Sequence, residues 1–285
     1  MTTYKSLYDI IKENNFSDKI FVNDSDAWVQ NPDHQFIYNK LWVAQSQFID
    51  CAPMKVYPRK YPIVFKPIIN LIGMSRGFRK INNKEEYHKY LQDGLFWEDY
   101  LEGDHWCIDL VLNKGEILFC SCLLSHPGET GSFKYHESLP DFVLPDHIKY
   151  WIMSFFSDYI GCMNLEVIDD VIIEGHLRLN GDFHLYDTHF VSLISDLLEG
   201  KSVNFDSFKI KKMYLIPIFV EKNFSIKNTD FKNILFDNGI FHIFFDNIKS
   251  ICQSEFLSRI LIYSCEDLEF GMKIKDLIIK NYFSM

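Results

Sequence analysis

Between Ile172 and Asn180, residues able to do chemistry recur at every second position: Glu174, His176 and Arg178. Side chains of a β-strand alternate between faces. An extended backbone here therefore puts Ile172, Glu174, His176, Arg178 and Asn180 on one face and Ile173, Gly175, Leu177 and Leu179 on the other. A carboxylate, an imidazole and a guanidinium in one row gather metal-ligand types and a fixed cation on one face. Mg²⁺ prefers hard oxygen ligands, whereas an imidazole suits Mn²⁺ or Zn²⁺ better. The plainer alternative is a solvated polar face on a half-buried strand.

Lys66 ends an apolar run and precedes Pro67. A fixed ammonium there can offset part of the charge of a nucleoside triphosphate, or simply extend from a strand end into water. Gly73-Met74-Ser75-Arg76-Gly77 offers backbone N–H groups suited to phosphate, without the Gly-Lys-[Ser/Thr] ending of a Walker loop. Alternation sets His105, Cys107 and Asp109 opposite Trp106, Ile108 and Leu110. No Ser-His-Asp or Cys-His arrangement for a covalent acyl-enzyme is evident.

Several elements must position these groups. Leu7, Ile10 and Ile11 have helical spacing, and 40–49 reads as a second helix. Pro53, Pro58 and Pro62 then impose an extended connection, followed by strands at 63–65 and 78–81. Asn83 is an N-cap with Glu86 as its capping-box partner for a helix to Leu91. Strands follow at 95–101, 106–112 and 116–124, the last two joined by a turn at Asn113-Lys114-Gly115. The stretch 125–145, rich in His, Gly, Pro and Ser, reads as a long mobile loop carrying His126, Lys134 and His136. A helix over 147–159, stopped by Gly161, precedes a hairpin of 163–168 and 171–180 turning at Asp169-Asp170. A helix at 190–198 closes on Gly200, and the tail has strands at 214–220, 240–245 and 259–263 before a helix from 266 to 280.

A chain of 285 residues can form one large domain or two lobes with a sizeable core. Its net charge of −10 argues against a general nucleic-acid binder, which needs a basic field. Seven cysteines without metal-knuckle spacing read as buried thiols in a reducing compartment rather than as disulfides. The N-terminus lacks the apolar core of a signal peptide, and no run approaches the roughly 20 apolar residues of a membrane helix. These features lead to the expectation of a cytoplasmic protein with no membrane partner.

In order and spacing, four segments resemble the nucleotide-binding core of the ATP-grasp ligases, the family of D-alanine–D-alanine ligase, glutathione synthetase and biotin carboxylase. They are Tyr61-Pro62-Ile63-Val64-Phe65-Lys66-Pro67, the 73–77 glycine loop, Glu98-Asp99-Tyr100-Leu101-Glu102-Gly103, and Glu174-Gly175-His176-Leu177-Arg178. The resemblance implies an α+β fold in which two α+β subdomains clamp ATP, with a shortened N-terminal region. It implies a lead-in over 1–60, a core over 61–200 and a closing segment over 201–285.

The same resemblance assigns roles. Lys40 and Lys66 would reach phosphate, and Ser75, Arg76 and Gly77 would cover the β- and γ-phosphates. The backbone of Glu98, Asp99, Tyr100 and Leu101 would meet the adenine edge. His105 stands where the family has a ribose-binding Glu, and Asp109 falls on a family Asp. Glu166, Glu174 and His176 would hold Mg²⁺, or Mn²⁺ given the imidazole, where the family has Glu-x-Asn-x-Arg; alternatively His176 would contact the γ-phosphate and leave the metal to Glu166 and Glu174. Arg178, helped by Lys134, would steady the transferring phosphate. The implied reaction activates a small-molecule or peptide carboxylate as an acyl phosphate for attack by an amine or thiol, releasing ADP and phosphate. The rivals are a phosphotransferase at the same site and a nucleotide-binding subunit without chemistry. The acceptor site would come from loops, the tail or a second copy in a homo-oligomer.

Overall fold

A computed structural model describes residues 7–71, 77–128, 132–180, 186–221, 231–240, 243–245 and 257–282. Two antiparallel sheets organise them. The smaller runs in the order β1 (Cys51–Pro53), β4 (Leu95–Asp99), β2 (Ile63–Pro67), β3 (Arg79–Ile81). Ala52, Ile63, Phe65, Ile81 and Trp97 on one face pack with Met54 and with Tyr87 of helix α4 (Lys84–Tyr90). The other face carries Val64 beside Glu98 and Lys66 beside Phe96. Alternation in β2 and β4 therefore separates an apolar core from a face bearing charge.

The larger sheet has eight strands: β11 (Ile243–Phe245), β12 (Leu257–Cys265), β10 (Tyr214–Glu221), β7 (Phe133–Ser138), β6 (Glu116–Pro127), β5 (His105–Asn113), β8 (Ile160–Ile168) and β9 (Val171–His176), in that order. Ile108, Leu110, Leu165, Val167 and Ile172 face a core closed by Ile148 and Ile152 of helix α5 (Asp146–Phe155). The N-terminal residues complete that core. Ala27 of α2 (Asp24–Gln30), Ile37 and Tyr38 of a 3₁₀ helix (Pro32–Tyr38), and Val43 of α3 (Lys40–Ser46) all lie in it. The opposite face is covered around Val111, Phe119 and Cys162 by α1 (Leu7–Glu13) and α6 (Thr188–Leu198). A further core joins β10 and β12 to α7 (Phe231–Asp237) and α8 (Leu268–Tyr282).

Local chemistry explains several boundaries. Asn83 caps α4 by accepting from Glu86 N at 2.9 Å, while the Glu86 carboxylate accepts from Asn82 N rather than from the cap itself. Lys114 and Gly115, and likewise Asp169 and Asp170, have positive φ, the geometry of tight hairpin turns. The six described cysteines are free. Among the described residues no helix is long and apolar enough to cross a membrane.

Two expectations fail. The segment 125–145 is not a long loop: β6 continues to Pro127 and β7 occupies Phe133–Ser138. Its loop-like composition reflects a strand face whose polar groups are buried and bonded to one another, as in Ser125 Oγ to His136 Nδ1 at 2.8 Å. The helix expected to reach Tyr159 ends at Phe155, and Gly161 lies inside β8. Phe156 is fully buried, so the chain turns into the core there.

Candidate cation and phosphate site

Where β8 and β9 pair, the backbone departs from simple alternation. Val167 pairs with Ile172 but Glu166 pairs with Glu174, so Ile173 is an extra residue on β9. Such a bulge shifts the phase of the strand by one. Ile172 therefore faces the core with Val167, while Glu174 and His176 join Glu166 and Asn164 on the opposite face. This corrects the expectation that Ile172 shares a face with Glu174. Gln47 secures the irregularity: its side-chain amide donates to Ile172 O at 2.7 Å and accepts from Ile172 N at 2.8 Å.

Glu166, Glu174 and His176 offer ligand atoms that all lie within 4.8 Å of one another. Each has a partner behind it. Lys40 Nζ lies 2.6 Å from Glu174 Oε2, and His105 Nε2 lies 3.3 Å from Glu166 Oε2. His176 Nδ1 lies 3.0 Å from Asp24 Oδ1, and its Nε2 is 3.6 Å from Glu174 Oε1. Asp24 also receives Arg178 through two bonds, Nε at 2.9 Å and Nη2 at 3.0 Å, the fork geometry that suits a guanidinium. Burial pushes the Asp24 carboxyl up, but His176 and Arg178 outweigh it and hold it well below the usual carboxylate range. Burial likewise raises Glu166, and the His105 bond with the charges of His105, His176 and Lys40 brings it below its ordinary value. Both carboxylates are thus anionic near neutral pH. Two carboxylates and an imidazole, each steadied by a second group, suit a divalent cation that completes its shell with water and phosphate oxygens.

The N-terminal helices deliver two of these groups. Asn39 caps α3 by accepting from Trp42 N, and Lys40 N donates to Ile68 O just beyond β2. That bond ties the α3 N-terminus, and hence the Lys40 ammonium, between the two sheets. Asp24 was not singled out from sequence. Nothing local in the sequence indicates its partner 152 positions away.

The other expected residues are distributed as follows. Lys66 forms a buried ion pair with Glu98 on the charged face of the small sheet. The amides of Asp99 and Tyr100 donate to Asp50 O and Pro62 O, so in this segment Leu101 carries the first amide beyond those bonds. Asp109 is buried, and its carboxylate accepts from Asn164 Nδ2, Asn180 N and Tyr186 OH, so it ties β5 to β8 and to the chain after β9. His105 leans on Glu166 and packs edge-on against Phe133. Lys134 is the exposed extra residue of a bulge in β7, and its carbonyl accepts from Lys275 of α8. Gly77 has φ +76 and packs against Pro67. Ser75 and Arg76 lie outside the described residues.

No family model matches the chain, and no curated protein matches its sequence. Solved structures do match. An L-amino acid ligase from Bacillus licheniformis superposes with a TM-score of 0.61 over 86% of this chain and 71% of its own, at 12% identity. Carboxyaminoimidazole ribonucleotide synthase from Aspergillus clavatus, complexed with ATP, gives 0.62 over 86% and 73%, at 13% identity. The biotin carboxylase domain of 2-oxoglutarate carboxylase from Hydrogenobacter thermophilus, with MgADP and bicarbonate, gives 0.54 over 87% and 66%, at 12% identity.

Proposed function

The chain has the ATP-grasp fold, and we propose that it uses that fold as an ATP-dependent ligase, activating a carboxylate as an acyl phosphate for attack by an amine or thiol. The observation that carries this reading is the convergence of Glu166, Glu174 and His176 with Lys40 and Arg178, all near the junction of the two sheets. A bound Mg²⁺ or Mn²⁺ would neutralise charge on the phosphate oxygens and hold them for transfer. Glu166 and Glu174 are the anionic ligands for it. Lys40 and Lys66 supply cations that offset the remaining charge of ATP, Lys40 from the large-sheet side and Lys66 from the small sheet. Leu101, past the last ladder bond of the small lobe, is the residue we assign to the adenine edge. Arg178, held by Asp24, is the residue that would steady the phosphate being transferred. With no nucleophile-and-base pair assigned to a covalent acyl-enzyme, catalysis rests on electrostatic stabilisation of the phosphoryl group.

One observation favours a second reading, a nucleotide-binding subunit without turnover: Glu166 and Glu174 already have cationic or imidazole partners. ADP release decides between the two. Amino acids, small peptides and hydroxy acids, each with an amine, are screened for ADP formation, and the productive carboxylate is then labelled with ¹⁸O. The ligase reading expects ADP only when both substrates are present, and one label in the released phosphate. ADP formation with an alcohol and no carboxylate would identify a phosphotransferase. AMP with pyrophosphate, or no turnover with ATP bound, would refute the ligase.

A further inference from the structure

Asp24 touches no assigned phosphate or cation ligand except through His176 and Arg178, yet it is the most constrained carboxylate of the cluster. Its side chain is 5% exposed and accepts from three nitrogen atoms: His176 Nδ1, Arg178 Nε and Arg178 Nη2. An anion that accepts from Nδ1 selects the tautomer with the proton on Nδ1 and leaves the lone pair on Nε2. Nε2 is the atom that points into the cluster, 3.6 Å from Glu174 Oε1. The ring cannot easily swing away. Tyr38 packs edge-on against it with centroids 6.1 Å apart, and the Tyr38 hydroxyl accepts from Leu177 N at 3.1 Å, fixing the adjoining backbone. His176 itself is 2% exposed.

We propose that Asp24 is a positioning residue that presents His176 Nε2 as a metal ligand, and that this makes the site prefer Mn²⁺ to Mg²⁺. The inference rests on the cation-site reading above. The carboxylate–imidazole–metal arrangement orients the ring and raises the basicity of the ligating nitrogen. A nitrogen ligand costs little with Mn²⁺ and more with Mg²⁺, which holds to oxygen. The opposing arrangement is an imidazolium bridging Asp24 and Glu174, in which Nε2 carries a proton and binds no metal.

Pulsed electron paramagnetic resonance of Mn²⁺ added with ADP to the full chain separates these. The wild type should show ¹⁴N coupling from one imidazole, and His176→Asn should lose it. Asp24→Ala should lose or weaken the coupling and bind Mn²⁺ about tenfold or more weakly, as outer-shell changes do. Asp24→Asn, which keeps an oxygen acceptor for Nδ1–H, should restore part of both and covers the case in which the alanine variant does not fold. His176→Asn should also lower the ratio of Mn²⁺ to Mg²⁺ affinity. Bound Mn²⁺ that is released in Glu174→Gln but shows no ¹⁴N coupling, or coupling unchanged in both folded Asp24 variants, overturns the proposal while leaving the cation site intact. No protein-bound Mn²⁺ in the wild type overturns the cation-site reading and the proposal with it.

Discussion

At the level of single residues, the buried charged side chains among the described residues have ionic or hydrogen-bond partners. Lys66 and Glu98 pair with side chains 10% and 4% exposed. Removing one partner of such a pair leaves the other charge without solvent or counter-ion, which costs about 3–5 kcal/mol, whereas replacing both by apolar groups is often near neutral. Glu98→Leu should therefore destabilise the fold by about 3 kcal/mol in urea denaturation, and Lys66→Met combined with Glu98→Leu should recover most of that loss. Equal destabilisation of the single and double variants would show that Glu98 acts through something other than Lys66. Strand spacing put Glu174 and His176 on one face in the sequence, whereas Glu166 and Arg178 were singled out through the family resemblance, and Arg178 lies beyond the end of β9. Asp24 and Gln47 were not legible as site residues, since each meets its partner across more than a hundred positions. The partners of Asp109 were not legible for a related reason. A carboxylate on the correct strand face reveals nothing about the amide and hydroxyl donors that bury it.

Among the elements, β9 matters most, and its geometry depends on a close approach. A Cβ on Gly175 would lie 2.6 Å from Ile37 Cγ1 and 2.7 Å from Ile37 Cδ1, so the 3₁₀ helix rests directly on the strand between Glu174 and His176. Gly175→Ala should cost about 1–3 kcal/mol, the range for overpacking a filled core. Because the strain falls between two candidate ligands, it should also weaken cation binding. Ile37→Val or Ile37→Ala in the same chain should restore both, measured by thermal unfolding and Mn²⁺ titration. Failure of a smaller residue 37 to relieve Gly175→Ala would contradict this account of the contact. Periodicity located most of the strands, but the register shifts escaped it, two of them near the candidate site. One added residue leaves the composition unchanged and reverses the facing of what precedes it, as at Ile173. The β7 bulge hid in a stretch whose histidines and serines suggested a loop, because its polar face turns inward.

For the whole molecule, the order of weak motifs carried more information than any one of them. Lysine strand, hinge and carboxylate hairpin indicated two α+β subdomains of the ATP-grasp type, and the fold bears out that architecture at 11–13% identity to solved structures. The net charge of −10 is compatible with an anionic ligand because Lys40 and Lys66 are held locally against carboxylates that a bound cation and phosphate could replace as partners. In the proposed function, ATP with a divalent cation occupies the space between the sheets. Calorimetric titration of Mg-ATP and Mn-ATP into the full chain tests it most directly. One nucleotide should bind per chain, with affinity falling about tenfold or more in both Lys40→Met and Lys66→Met, since each charge-assisted phosphate contact contributes about 1.5–3 kcal/mol. Absence of binding with either metal, or binding unchanged in both variants, would contradict it.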